Sequence, residues 1–137
     1  METYKQMKKR HQEEFSKLPM AAAFNADQLE EGKKKLGITD DSEICPLGYG
    51  AFTRKSDKHL FDEQSQKAEK ELREAMKDFD FCVGMFEYEL GNHEYCVTMD
   101  PDPALGALGL TFEEVANSKH LSKAFLKARE QYLAGVN

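Results

Sequence analysis

The sequence predicts an α+β fold dominated by helices, with about five to six helices and a small antiparallel β-hairpin or sheet. Three observations carry this. Apolar residues recur at three- and four-residue spacing through several long segments. Helix-start signatures stand at Thr3, Asn25 and Thr111. One glycine-punctuated stretch, residues 44–53, reads as paired strands. The 137 residues are enough to bury a core, and no internal repeat or long linker divides them, so a single domain over 1–137 is expected.

The first helix is predicted over residues 3–18, with Tyr4, Met7, His11, Phe15 and Leu18 on one face. Thr3 and Gln6 supply a capping box, and Pro19 prevents continuation. Lys8, Lys9, Arg10, Glu13 and Glu14 fall to the solvent face. Residues 20–24 form an apolar run suited to a buried strand. A second helix starts at the N-cap Asn25, with Gln28 three residues on and Phe24 and Leu29 as a hydrophobic staple. Lys33, Lys34 and Lys35 sit at its negative dipole end, and Gly37 closes it.

Residues 39–43 are a polar loop. The following stretch turns at Leu47-Gly48-Tyr49-Gly50. Its glycines suit a turn; it lacks the Lys-Ser/Thr of a P-loop and the third glycine of a dinucleotide fingerprint. Ser56 is the expected cap of the longest helix, 57–79, striped by Phe61, Ser65, Ala68, Leu72, Ala75 and Phe79. A further helical segment, kinked at 78–80, runs to Gly91-Asn92. Residues 95–99 alternate enough for a short strand paired with the hairpin. Asp100-Pro101-Asp102-Pro103 turns into a short helix over 104–108. Thr111 and Glu114 form another capping box, stapled by Leu110 and Val115. The last helix, 119–134, presents Leu121, Phe125, Ala128 and Tyr132 on one face.

Charge is unevenly spread within a net −6. Residues 1–36 carry eight Lys and Arg against six Asp and Glu, and residues 37–137 carry eleven against nineteen. That balance argues against general nucleic-acid binding, which needs a basic face to displace phosphate counterions. Three cysteines, Cys45, Cys82 and Cys96, form no C-x-x-C pair, so reduced thiols in a cytoplasmic protein are expected. The polar N-terminus has no signal-peptide core, and no apolar run reaches the ~20 residues of a membrane span.

Residues 78–118 hold nine carboxylates and no Lys or Arg. Within them Glu87, Tyr88, Glu89, His93, Glu94 and Tyr95 crowd together. Glu113 and Glu114 are explained by a helix start, and Asp100 or Asp102 by a turn and cap. Only Glu89 and His93 have the i,i+4 spacing of helical metal ligands, which is poor for a cation site. No metal and no cofactor are called for. Cys82 reads as a small core hydrophobe, and a Cys96–His93 pair lacks the electropositive surroundings that activate a thiol. Arg54-Lys55 is the basic cluster on a predicted exposed turn.

Five phrases, taken together, resemble a family of small uncharacterised proteins associated with gut bacteria, their phages and other mobile elements. They are Ala22-Ala23-Phe24-Asn25, Glu30 to Gly37, Gly48 to Asp57, Tyr88 to Tyr95, and Ala104 to Leu110. The resemblance covers about residues 3–117. This chain has alanines where the family carries aromatics before Phe24-Asn25, and its glycine loop is less glycine-rich. The resemblance implies an accessory protein of a mobile element and supplies no catalytic residue.

The resulting expectation is a non-enzymatic, cytoplasmic protein that binds a host protein through an acidic surface. The contact residues are Glu87, Tyr88, Glu89, His93, Glu94 and Tyr95, with Arg54 and Lys55 as basic contacts. The partner is a host protein with a basic surface, such as a CRISPR effector or other nuclease, and anti-CRISPR inhibition is the sharpest form of this reading. It involves neither nucleic acid nor membrane directly. The competing expectation is a small metal- or ligand-dependent enzyme centred on Glu89, His93 and Glu94.

Overall fold

The computed structural model describes residues 1–136, arranged as two compact units. The first comprises residues 1–10 with the chain from Glu71 onward, and the second residues 11–70. Among the described residues there are eight α-helices and three strands. In chain order they are α1 (Tyr4–Ser16), β1 (Ala21–Ala22), α2 (Ala26–Leu36), β2 (Ile44–Gly48), β3 (Ala51–Arg54), α3 (Lys58–Ala75), α4 (Phe79–Asn92), α5 (Tyr95–Thr98), α6 (Asp102–Ala107), α7 (Phe112–Asn117) and α8 (Lys119–Gly135). The unit boundaries fall within α1 and α3.

The helix-dominated class with a small antiparallel sheet is as expected, but the helix count exceeds the expected five to six. One reason lies at residues 78–80. The kink there is a full break: Asp78 adopts extended backbone, and its carboxylate accepts the Phe81 N–H at 2.8 Å as a new N-cap. The other is α5, one helical turn where a strand was expected; α6 covers the short helix expected at 104–108, and α7 starts at the expected Thr111 cap.

Three further expectations are corrected. Residues 95–99 form no strand. They make one helical turn, flanked by Glu94 at φ 52 and Met99 at φ 55, which buries Tyr95 alone. Five residues of alternation do not distinguish that turn from a strand. Ser56 does not cap the long helix, because a 3-10 turn over Lys55–Asp57 leads into α3. Phe24 does not staple α2: it is 80% exposed. Gln28 Oε1 instead accepts the Phe24 N–H at 2.8 Å, while Asn25 caps the Gln28 N–H at 2.8 Å as expected.

In the second unit the strands are ordered β1-β3-β2, all antiparallel, with Ala21 opposite Phe52 and Cys45 opposite Thr53. A register shift between Pro46 and Gly48 bulges β2, an edge strand on which a proline's missing N–H is tolerated. Helix α2 lies close on the sheet. A Cβ placed at Gly32 would come within 2.6 Å of the Phe52 ring and 2.9 Å of Ala21 Cβ. Leu36, Ile38 and Phe52 form this unit's buried cluster. Gly37, at φ 70, ends α2 in a Schellman motif: Ile38 N–H bonds Lys33 O at 2.8 Å and Gly37 N–H bonds Lys34 O at 3.2 Å.

The first unit is built around α4, which is apolar on nearly every face. It buries Phe81, Cys82, Val83, Met85, Phe86 and Leu90. Helix α8 packs against it through Ala124, Phe125 and Ala128, with Phe86 and Phe125 meeting edge to face at 5.5 Å. Tyr4 and Met7 of α1 join the same cluster. The Thr3–Gln6 and Thr111–Glu114 capping boxes form as expected.

The α2–sheet approach gives a direct test. Alanine is the better helix former, yet Gly32→Ala must displace the Phe52 ring. Overpacking of this kind costs about 1–3 kcal/mol. Urea denaturation is expected to show Gly32→Ala less stable than wild type; a stabilised variant would place α2 farther from β3.

Candidate functional site

The α4 register puts a carboxylate in the core. Glu89 stands three residues after Phe86 and four after Met85, which themselves lie four and three after Cys82 on the buried face, so Glu89 occupies a core position and is fully buried. An unpaired carboxylate there would cost several kcal/mol. Three side chains answer it. The Tyr4 hydroxyl donates to Glu89 Oε1 at 2.7 Å, and Lys8 Nζ donates to the same oxygen at 2.8 Å. Glu89 Oε2 faces His93 Nε2 at 3.2 Å, off the line of a hydrogen bond, and neither atom has another partner.

Tyr4 and Lys8 are one helical turn apart on α1, and Glu89 and His93 one turn apart on α4. The cluster is therefore a clasp between two helix faces. Lys8 keeps partial exposure while its ammonium lies 5.0 Å from the centre of the Tyr88 ring. Burial pushes the Glu89 carboxyl upward, but the hydrogen bonds from Lys8 and Tyr4 outweigh it and hold the group below its ordinary value. Burial, then the bond to Glu89, raises the Tyr4 hydroxyl well above the usual phenol range, so it remains a donor.

The expected contact residues divide accordingly. Glu89 and Tyr95 lie inside the fold; the Tyr95 hydroxyl accepts from Arg129 Nε at 2.8 Å. Glu87, Tyr88 and His93 are partly exposed and Glu94 is exposed. The hydrogen bonds that hold Glu89 come from Tyr4 and Lys8, while Glu94 is the left-handed N-cap of α5. Among the described residues no group of three or more His, Cys, Asp or Glu side chains is placed to hold a metal ion. Arg54 and Lys55 belong to the second unit, where Arg54 binds Asp57 at 2.9 Å and Lys55 opens the 3-10 turn.

Cys82 is fully buried, as expected. It donates to Met76 O at 2.9 Å, and burial pushes its thiol up to about 11. The His120 imidazole lies 3.7 Å from its sulfur. Three participants were missed from sequence. Lys8 was assigned to the solvent face, although its i,i+4 relation to Tyr4 places it beside the buried stripe. The exposed apolar residues Val97 and Met99 were read as strand positions.

The chain matches a family of unknown function, DUF7659, over residues 3–131, and belongs to that family. No curated protein and no solved structure matches it. No helix among the described residues is long and apolar enough to cross a membrane.

The clasp predicts a specific acid response. Glu89 titrates below its ordinary value of 4.5 when folded. Its stabilising contribution is thus complete above that pH and is lost as pH falls through the folded value. Glu89→Gln keeps the Tyr4 bond but removes the charge facing Lys8, at a cost of about 1–3 kcal/mol near neutrality. Urea melts from roughly pH 7 down to 3 should show wild type and variant converging on the acid side. Parallel curves would remove Glu89 as the responsible group.

Proposed function

We propose that this member of a family of unknown function is a non-enzymatic binding protein whose contact surface is the acid-rimmed corner at the end of α4. The observation that carries this reading is the exposure of Val97, 75% exposed, and Met99, 50% exposed, on a turn flanked by Glu94 and Asp100. Apolar side chains presented to water inside a rim of one charge suit a protein contact. Glu87, Tyr88 and His93 extend the surface along α4, and the buried Glu89 clasp holds it in place. With no Lys or Arg anywhere in residues 78–118, the complement is a basic surface with an apolar centre.

In its sharpest form the partner is a host nuclease such as a CRISPR effector, and the chain is a mobile-element inhibitor that covers a nucleic-acid channel. Carboxylates then stand where phosphates bind. The support for this form is the charge distribution and the family resemblance described from the sequence.

The test is pull-down and gel shift against purified Cas effectors at low and high salt. Binding should weaken with salt, and Glu87→Lys with Glu94→Lys together should weaken it at least roughly tenfold. Val97→Asp should do the same without lowering thermal stability, since Val97 packs little within the fold. Absence of binding to any effector overturns the CRISPR form. Binding indifferent to both charge reversal and Val97→Asp overturns the acidic corner as the contact.

A further inference from the structure

We infer that the β2–β3 hairpin tip is a second contact element, in which Tyr49 enters an apolar cleft of a protein partner. Tyr49 and Gly50 form the two-residue turn between the strands, with φ 53 and 80. Both central residues at positive φ define a type I′ turn, where Asn-Gly or Gly-Gly is the favourable pair. A tyrosine there carries the Cβ penalty of the left-handed region. Its side chain recovers nothing within the fold, because Tyr49 is 100% exposed. The residue thus destabilises the turn and leaves a large aromatic surface in water. In the proposed contact that surface is buried by the partner.

The neighbouring geometry supports a built contact element. Gly50 is backed by Phe24: a Cβ there would come within 2.8 Å of the Phe24 ring and 3.0 Å of Ala23 O. Ala23 N–H also bonds Gly50 O at 2.9 Å. The turn is therefore braced by the residues following β1, and Phe24 stays exposed beside it. Two exposed aromatics flank one glycine, and tyrosine is among the residue types that dominate binding energy at protein contacts. Residues 44–53 contain no charged side chain. The hairpin itself therefore offers no cation to phosphates, and Lys35 beside Phe24 shares its depression with Glu31, so an apolar protein cleft is the matching occupant.

This contact lies in the second unit and stands independently of the acidic corner. The experiment uses the full chain as bait for a displayed random-peptide library, with every selected peptide remeasured against Tyr49→Asn and against the Glu87→Lys, Glu94→Lys pair. Tyr49→Asn is expected to leave Tm unchanged or raised, and to weaken a major class of apolar and aromatic peptides at least roughly tenfold. A lowered Tm would show that Tyr49 serves the fold and would overturn the inference. So would peptides that bind Tyr49→Asn as well as wild type. Peptides sensitive only to the charge reversals would uphold the acidic corner and overturn the tip. Co-sedimentation with phosphatidylcholine or phosphatidylserine vesicles that is lost in Tyr49→Asn would reassign the tip to a lipid surface.

Discussion

The first unit depends on one buried carboxylate. Glu89 sits where the apolar stripe of α4 requires a core residue, and its charge is answered by Lys8, 81 positions earlier in the chain. A hydrophobic residue at position 89 would pack without needing any partner. A carboxylate makes α1 obligatory, because without Tyr4 and Lys8 the charge would be buried unpaired. The ionic clasp thus specifies which segment covers this face of α4, and burial of Tyr4 and Met7 supplies the apolar contact alongside it.

That constraint reaches the surface within one turn. His93, whose Nε2 lies 3.2 Å from Glu89 Oε2, ends α4; left-handed Glu94 follows, and then the single turn of α5. Tyr95 anchors this turn from inside through Arg129, while Tyr132 receives the Cys96 N–H at 3.3 Å. The exposed Val97 and Met99 are therefore carried on backbone fixed at both ends. In the contact proposed for this corner, backbone held in this way would lose little conformational entropy on binding, which favours a specific complex over diffuse attraction of charges.

Much of this was legible in the sequence where chemistry is local. The capping boxes at Thr3 and Thr111, the Asn25 cap, the Gly37 terminus and the hairpin are each set by residues within a few positions of one another. Glu89 was not legible in the same way. A glutamate among aromatics reads as exposed unless the α4 stripe is followed through it, and its partner lies in a distant helix. Residues 95–99 failed for a different reason: a one-turn helix and a short strand both allow one buried side chain. Tyr49 sat inside a correctly placed turn, but a glycine-flanked tyrosine does not announce that all three residues, Gly48, Tyr49 and Gly50, have positive φ.

The two units bear their exposed apolar groups under opposite circumstances, and this separates what the features can mean. Val97 and Met99 lie on a turn whose geometry is needed to bury Tyr95, so their exposure is in part a by-product of closing α5. Tyr49 has no such reason. Glycine or asparagine at that position would form the same turn at lower cost, and neither would leave an aromatic ring in water. Val97 and Met99 suit a contact because they stand together inside the Glu94 and Asp100 rim, and not through exposure alone. Tyr49 is an exposed aromatic that the turn would be more stable without, and the proposed contact at the hairpin tip gives it a use that the fold does not.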